Sequence, residues 1–194
     1  MFYLALGDAH IPYRAANIPE ALWNRISKGK YSHIFFTGNA CSLDVVADLK
    51  KLCNSVLVAR GDFDTENYNE SIVTSLTDDL KVGVVHGHQI IPWNDEEALA
   101  MYQRQLNCDV MIHGSTHTPN HFVKNKKLFL NPGSCTGAFH TQNPESKPSF
   151  MLLDVVFDVV QWYTYTYDAE SDSVNISCHS WTKGTDEIRS EELE

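Results

Sequence analysis

The sequence predicts an α/β fold (an α+β sandwich) in which two packed β-sheets are flanked by helices. Short apolar runs rich in β-branched residues recur along the chain, and the early ones end in polar loops that contain glycine. Helical patterns separate these early runs, whereas after about residue 120 one strand pattern follows another. Two sheets packed face to face, with helices outside, would bury both kinds of apolar surface.

Five early apolar runs predict buried strands, because they are short and are bounded by turn residues. They cover residues 3–6, 34–37, 56–59, 82–85 and 110–112. Polar residues follow each run on a glycine-containing loop, which is where α/β folds carry their chemistry. The loops after these strands are therefore the first place to look for a functional site.

Three helical patterns lie between these strands. Residues 18–26 begin with proline and glutamate in the first turn, which is a helix-start signal. Residues 42–52 have Ser42 as a candidate N-cap, and residues 95–106 place apolar side chains at helical spacing.

The last part of the chain predicts four strands, at residues 127–130, 149–155, 159–167 and 173–179. No repeat or linker interrupts the pattern, so a single domain is predicted over residues 1–182. The remaining residues, 183–194, are acidic and polar, and we expect them to form a disordered tail.

Composition excludes several classes of protein. The net charge of −10 and the absence of a basic cluster argue against nucleic-acid binding and against direct binding to anionic lipid. The five cysteines are widely spaced without a C-x-x-C motif, which is typical of a reducing compartment. The first residues lack a basic region and are interrupted by a carboxylate, so we expect a buried first strand and not a signal peptide.

Five polar motifs follow the early strands in order. They are Asp8-Ala9-His10, Gly38-Asn39, Gly61-Asp62-Phe63-Asp64, His86-Gly87-His88 and Gly114-Ser115-Thr116-His117. Asp8 and His10 stand two apart at a strand end, so their side chains point to the same side and can reach one ion. Carboxylate and imidazole together suit zinc, manganese or iron. Any one motif alone would favour an explanation as loop caps and surface imidazoles.

Together the motifs resemble the signature of the calcineurin-like metallophosphoesterase family: D-x-H, G-D, G-N-H-D/E, a lone histidine and G-H-x-H. The resemblance implies that fold, and two metal ions that clamp the attacking and leaving oxygens. The metal ligands that it implies are Asp8, His10, Asn39, Asp62, His86 and His117. His88 and His113 stand nearby and are alternatives, although such residues more often lie outside a ligand set or are exposed.

Departures from that signature weigh against catalysis. The bridging carboxylate of the family is Asn39, while the family's asparagine is Asp62. The histidine that resemblance assigns to protonating the leaving group is Phe63, which has no transferable proton. General acid catalysis contributes about 10²–10⁴-fold, so this loss alone would be severe. The first histidine of G-H-x-H is Ser115, which is a poor metal ligand.

Further segments are similar to the non-catalytic members of this family that serve as retromer subunits. They are residues 7–12, 37–39, 58–64, 86–93, 103–105, 131–134 and 148–150. This resemblance implies docking on the α-solenoid subunit of retromer, vacuolar protein sorting-associated protein 35, in endosome-to-Golgi retrograde transport. The segment Ile90, Ile91, Pro92 and Trp93 is the predicted docking site. The alternative is a turn that packs on the domain's own core.

The same resemblance implies a second surface, on the opposite side, for retromer regulators and sorting nexin-type proteins. It carries that surface to Leu152, Tyr163, Tyr165 and Val174. Alternation along residues 159–167 places the tyrosines on one face of a strand, where aromatic residues suit recruitment of a partner. The alternative is that the tyrosines only cover the sheet under a helix.

Three hypotheses follow for function. The first is a scaffold subunit that is cytoplasmic, reaches endosomal membranes only through its complex and requires no cofactor. The second is a metal-dependent phosphodiesterase with weak residual activity, and the third is a bare metal-sensing or storage protein. A weakly bound divalent metal, Zn²⁺ or Mn²⁺, is compatible with all three.

Overall fold

The computed structural model describes residues 1–191 and, within that range, three helices and twelve strands. In chain order these elements are β1 (Phe2–Leu6), α1 (Glu20–Ile26), β2 (His33–Phe36), α2 (Leu43–Leu52), β3 (Val56–Val58), β4 (Ser71–Ser75), β5 (Lys81–Val85), α3 (Glu96–Leu106), β6 (Val110–Ile112), β7 (Asn120–Lys124), β8 (Lys127–Asn131), β9 (Ser149–Val156), β10 (Val159–Asp168), β11 (Ser173–Thr182) and β12 (Ile188–Glu191).

The strands form two mixed sheets. The first has seven strands in the order β12-β11-β10-β9-β1-β2-β3, and the second has five in the order β4-β5-β6-β8-β7. Pairing is parallel from β1 to β3 and along β5, β6 and β8, while the outer pairs are antiparallel. This arrangement confirms the α/β fold with two packed sheets that the sequence predicts.

The main core lies between the two sheets. Leu153 and Trp162 from the first sheet belong to the same buried cluster as Val84 and Leu130 from the second. Burial of such a side chain stabilises the fold by about 1.5–3 kcal/mol. Because the sheets are packed through this layer, the loops at their ends are held in a defined relation to each other.

The three helices cover the outer faces of the sheets. Leu22 of α1 and Leu49 of α2 belong to a second buried cluster with β1 and β2, while Leu99 of α3 packs with Phe129 of β8. Ser42 caps α2 by accepting a hydrogen bond from the Asp44 N–H, which confirms the predicted N-cap. None of the helices in residues 1–191 is long and apolar enough to cross a membrane.

Three strands were not predicted. β4 has β-branched residues but little burial, and β7 is joined to β8 by a two-residue turn in which Asn125 and Lys126 both have positive φ. β12 lies in the segment expected to be a polar tail, and its Ile188 pairs with Trp181 of β11. A long-range pairing of this kind leaves little trace in local sequence. Residues 192–194 of the expected tail lie outside the described residues.

Candidate functional site

Loops that follow β1, β2, β3, β5 and β6 come together at one end of the sandwich. The Asp8 N–H donates to the Gly38 carbonyl at 2.9 Å, and the Gly114 N–H donates to the His86 carbonyl at 2.8 Å. Asp8, His10 and Asn39 have φ between 48° and 59°, a conformation that L-residues rarely adopt. Backbone strain of this kind accumulates at functional sites, and here it falls within the predicted motifs.

Asp8, His10 and His117 form the first candidate ligand group, and all three are buried. His10 Nε2 lies 3.2 Å from His117 Nε2, and Asp8 Oδ1 lies 3.8 Å and 3.5 Å from these two nitrogens. Ligands of a tetrahedral zinc with bonds of about 2.0–2.1 Å are separated by roughly 3.3 Å. The three atoms are therefore spaced to hold one divalent ion.

Asp62, His86 and His88 form a second group, each with one ligand atom within 4.8 Å of the others. Asp62 Oδ1 lies 3.2 Å from His86 Nε2. Of the two alternative histidines, His88 joins this group, whereas His113 belongs to neither group within residues 1–191. Burial lowers the pKa of His113 to about 4, so that its ring stays neutral in the core.

Asn39 lies between the two groups. Its Oδ1 accepts a hydrogen bond from the Phe63 N–H at 2.9 Å, which directs Nδ2 toward the predicted ligands. Nδ2 lies 3.3 Å from Asp8 Oδ1, 3.0 Å from Asp62 Oδ1 and 3.0 Å from His86 Nε2. The amide nitrogen thus faces two carboxylates and one ring nitrogen, and the amide oxygen is turned away from them. That Asn39 bridges two metals stays a prediction.

Hydrogen bonds behind the ligands orient the imidazoles. His86 Nδ1 donates to the Thr37 carbonyl at 2.9 Å, and His117 Nδ1 donates to the Ala138 carbonyl at 2.6 Å. Each bond directs Nε2 of the same ring into the site. A metal-binding histidine is normally held in this way.

The electrostatics of the site favour ionised carboxylates. Burial opposes ionisation of Asp8, but His86, His10 and His117 together hold its pKa well below the ordinary value. Burial likewise opposes ionisation of Asp62. Hydrogen bonds with His86 and Asn39 outweigh this effect and lower the pKa of Asp62. Burial also disfavours charge on His86, yet Asp8 and Asp62 raise its pKa. Both carboxylates are therefore available as anionic ligands at neutral pH.

Asp64 organises the loops although the sequence indicated no role for it beyond motif membership. Its buried carboxylate accepts hydrogen bonds from the backbone N–H groups of Asn39 at 2.8 Å, Gly61 at 2.9 Å and Cys41 at 3.0 Å. These bonds join the loop after β2 to the loop after β3. Asp64 thereby holds Asn39 and Asp62 in place.

Phe63 and Ser115 both border the first ligand group. Phe63 contributes an apolar ring, and Ser115 contributes a short polar side chain. The Phe63 ring packs edge-on against His10 with ring centroids 5.3 Å apart, and the Arg14 guanidinium lies 4.6 Å from its centroid. Ser115 contacts the site through its backbone N–H, which donates to Asp8 Oδ2 at 2.9 Å. Phe63 offers no proton to a leaving group.

The segment Ile90, Ile91, Pro92 and Trp93 borders this site. Ile90 is buried and packs on the core, as the alternative reading of the segment expects. Ile91 and Trp93 are 76% and 47% exposed, and Pro92 is exposed too. Trp93 Nε1 donates to the His88 carbonyl at 3.0 Å, which ties the segment to the second ligand group.

His140 also lies at this face and was missed in the sequence. Its ring stacks at an angle beside His117, with centroids 5.0 Å apart, and meets Trp93 edge-on at 6.3 Å. It belongs to no motif, so that only the folded chain reveals its position. Through His140, the apolar segment is joined to the first ligand group.

The second predicted surface lies on the outer face of the seven-stranded sheet. Leu152 pairs with Tyr163 across β9 and β10, and the Tyr165 ring stacks on Phe150 with centroids 4.6 Å apart. All four predicted residues, Val174 included, are half-buried, while the alternate residues Val160 and Trp162 face the core. The predicted alternation along β10 is thus confirmed.

A cavity of about 300 Å³ opens beside these residues and is lined by Phe2, Arg25, Tyr31, Leu152 and Tyr165, among others. The helix α1 therefore covers only part of the face, and the cavity leaves part of Tyr165 accessible. Recruitment of a partner to this surface stays a prediction.

Comparison with known proteins relates the whole fold to one family. Residues 1–157 match the calcineurin-like phosphoesterase superfamily domain. The chain is 33% identical over 175 residues to vacuolar protein sorting-associated protein 29 of Schizosaccharomyces pombe, a match that covers 88% of this chain and 94% of that protein.

Solved structures extend the relation. Vacuolar protein sorting 29 from Cryptosporidium parvum superposes with a TM-score of 0.89 at 34% identity, covering 94% of this chain and 98% of that one. The wild-type protein from Entamoeba histolytica, solved in complex with Zn²⁺, gives 0.85 at 40% identity, covering 92% and 98%. The chain belongs to the vacuolar protein sorting-associated protein 29 family, within the calcineurin-like phosphoesterase superfamily.

Proposed function

We propose that this chain is a non-catalytic scaffold subunit of retromer, which docks on the α-solenoid subunit through the face that carries the ligand groups. The observation that carries the proposal is the apolar rim of that face. Ile91, Trp93 and Phe63 are 76%, 47% and 50% exposed there. Large exposed apolar side chains that cluster at one site are typical of a protein interface.

Ring contacts connect the exposed apolar side chains on two sides of the site to the ligand groups. Trp93 contacts His140, which contacts His117, and on the other side Phe63 packs on His10 beneath Arg14. The Arg14 guanidinium also donates to the Phe139 carbonyl at 3.0 Å, beside another exposed aromatic ring. Aromatic residues and arginine are enriched at the centre of interfaces. This composition supports docking of a protein partner over the former catalytic site.

Loss of the catalytic acid supports the non-catalytic assignment. Phe63 occupies the position that resemblance gives to the proton donor, and its exposed ring contributes apolar area in its place. Phenylalanine at this position cannot donate a proton but adds exposed apolar surface, which supports a role in binding a protein partner and not in catalysis. The role would place the chain in the cytoplasm, and on endosomal membranes only through the complex.

Calorimetric titration tests this proposal. The full chain is titrated against the C-terminal half of the α-solenoid retromer subunit from the same source, with and without chelator. We expect tight binding that survives chelation, since the rim and not a metal carries the contact. Ile91→Asp should weaken binding by about 30-fold or more, the loss expected for an interface hot spot.

The matched control is Phe157→Asp, because Phe157 is 85% exposed in the β9–β10 turn, at the opposite end of the strands from the site. This variant should bind like the wild type. Absence of binding by the folded wild-type chain in both conditions would contradict the docking proposal.

We further propose that Leu152, Tyr163, Tyr165 and Val174 recruit retromer regulators and sorting nexin-type proteins. The half-buried apolar side chains and the cavity of about 300 Å³ beside them support an insertion of apolar side chains from a partner. The surface lies on the outer sheet face, away from the loops that carry the ligand groups, so that both partners could bind together.

The second candidate function is a weak metal-dependent phosphodiesterase, which the two ligand groups favour. Its test is the triple variant Asn39→Asp, Phe63→His and Ser115→His, assayed with Mn²⁺ and a generic aryl phosphodiester. A metal-dependent gain of hydrolysis is expected, because the bridge, the acid and the lost ligand are restored together. A folded triple variant without any gain would count against the inferred metal site.

A further inference from the structure

The second ligand group contains a histidine that the family pattern does not use. The family pattern instead uses the first histidine of its last motif, G-H-x-H, and that position is Ser115 in this chain. His88 instead lies beside Asp62 and His86, with one ring nitrogen within 4.8 Å of a ligand atom from each. We propose that His88 replaces the lost histidine, so that Asp62, His86 and His88 form a second Zn²⁺ site of this chain.

The geometry of the group suits a zinc ion. Asp62 Oδ1 and His86 Nε2 are already 3.2 Å apart, close to the roughly 3.3 Å between ligands of a tetrahedral zinc. The rings of His86 and His88 have centroids 5.2 Å apart at an angle of 44°. One ring nitrogen of His88 lies within 4.8 Å of a ligand atom from both Asp62 and His86. Three ligands would then leave a fourth position open.

One nitrogen of the His88 ring is unsatisfied within the described part of the chain. Its Nδ1 is buried and has no hydrogen-bond partner among residues 1–191. A buried polar atom of this kind costs about 1–3 kcal/mol unless it is satisfied. Coordination or a reorientation toward an ion would remove that cost, which is the reason to assign a ligand role to this ring.

Backbone geometry brings position 88 next to position 115. Gly87, between the two histidines, has φ +107°, and a Cβ built on it would lie 3.8 Å from Ser115 Cβ. The loop with His88 thus lies against the place where a family histidine would stand. Serine is much smaller than histidine, so the substitution leaves space for the His88 ring.

The donor set identifies the class of ion. Two imidazoles and one carboxylate are the ligands of many zinc sites with an open position, and calcium or magnesium would require more oxygen donors. The proposal concerns the same face as the docking surface but needs no partner. Its test uses metal alone, so its failure is distinguishable from failure of the docking proposal.

The experiment is a calorimetric titration of the chelator-treated full chain with Zn²⁺, followed by Co²⁺ absorption spectroscopy as a readout of ligand geometry. The wild type should bind two Zn²⁺ ions per chain. His88→Ala should retain the ion at Asp8, His10 and His117 and weaken the second by about 100-fold. Ser115→His added to His88→Ala should restore the second ion.

The matched control is His33→Ala, since His33 begins β2, at the opposite end of that strand from the loop with Asn39, and lies in neither ligand group. It should bind two ions. Thermal unfolding verifies that each variant is folded, and His88→Gln replaces His88→Ala should the latter be unfolded. Binding of only one Zn²⁺ by the wild type, or two ions bound equally well after His88 is removed, would overturn the proposal.

Discussion

Asn39 Nδ2 donates a hydrogen bond to Asp62 Oδ1 across 3.0 Å, at the position where the family resemblance implies a bridging carboxylate. The amide thereby neutralises part of the repulsion between Asp62 and Asp8, whose Oδ1 lies 3.3 Å from the same nitrogen. An amide at position 39 therefore suits the metal-free arrangement of these two carboxylates, whereas a carboxylate there would add a third negative charge. The residue at position 39 should therefore affect the stability of the metal-free protein and its affinity for metal in opposite directions.

Asn39→Asp should destabilise the metal-free protein and strengthen its stabilisation by Zn²⁺. A third carboxylate beside Asp8 and Asp62 adds repulsion that we expect to cost about 2 kcal/mol in the free energy of unfolding. Denaturant unfolding with chelator and with Zn²⁺ measures both effects. Asn175→Asp, at an exposed position of β11, is the control and should change neither. Equal stability of wild type and Asn39→Asp in chelator would contradict the prediction.

Asp64→Asn should destabilise the fold by about 2–4 kcal/mol, because three backbone N–H groups lose a charged acceptor. The NH₂ group of the new asparagine side chain would also face at least one of these backbone N–H groups, which cannot accept a hydrogen bond. Urea unfolding at neutral pH measures the loss. Asp48→Asn is the control, since the Asp48 side chain is 50% exposed and pairs with Lys51 on the surface of α2, and it should cost less than about 1 kcal/mol. A loss no larger than this control would refute the role given to Asp64.

Stability should fall as the pH drops from about 6.5 toward 4, in part because of His121. Burial and then the neighbouring His179 lower the pKa of His121 to about 4, from an ordinary value of 6.5. Between pH 6.5 and 4 the unfolded chain binds a proton at His121 that the folded state excludes. The contribution of neutral His121 to the free energy of unfolding is therefore complete above about pH 6.5 and is lost progressively below it. One such group contributes at most about 1.4 kcal/mol per pH unit, and half-buried His121 contributes less.

His121→Phe isolates this contribution, because phenylalanine retains the ring contact with Trp162 and cannot titrate. Its free energy of unfolding, measured across pH 7 to 4, should fall less steeply than that of the wild type. In both proteins, the lowered pKa of His113 also makes the free energy of unfolding fall as the pH drops. The raised pKa of His86 has the opposite effect on this pH dependence. Parallel pH profiles for the two proteins would show that His121 does not titrate with folding.

Leu152→Glu should weaken recruitment of a regulator without affecting docking on the α-solenoid subunit. Leu152 lines the cavity beside Tyr165 on the outer sheet face, whereas the docking segment borders the ligand groups. A charge in the cavity should reduce binding by about 30-fold, measured by calorimetry with a retromer regulator of the same source. Val73→Glu, at an exposed position of β4 in the other sheet, is the control. Loss of both binding events in folded Leu152→Glu would argue against two separate surfaces.

Sequence patterns predicted the elements whose signal is local. The buried strands, the Ser42 cap of α2 and the alternation along β10 follow from burial periodicity and backbone capping, which act over a few residues. β12 did not follow, because its Ile188 is stabilised by pairing with Trp181 and not by its own polar neighbours. Strand pairing depends on register with a distant segment, which local composition does not encode.

The sequence by itself determined the identities of the chemical groups, including a phenyl ring at Phe63 and a hydroxyl at Ser115, where the family resemblance implies histidines. Those are properties of single side chains, and they do not depend on the fold, because phenylalanine has no transferable proton in any conformation. Only the tertiary structure decided that His88 and not His113 joins Asp62, and that Phe63 turns the amide nitrogen of Asn39 toward the ligands. These outcomes depend on distances between loops that are far apart in the chain, and packing of the two sheets sets those distances.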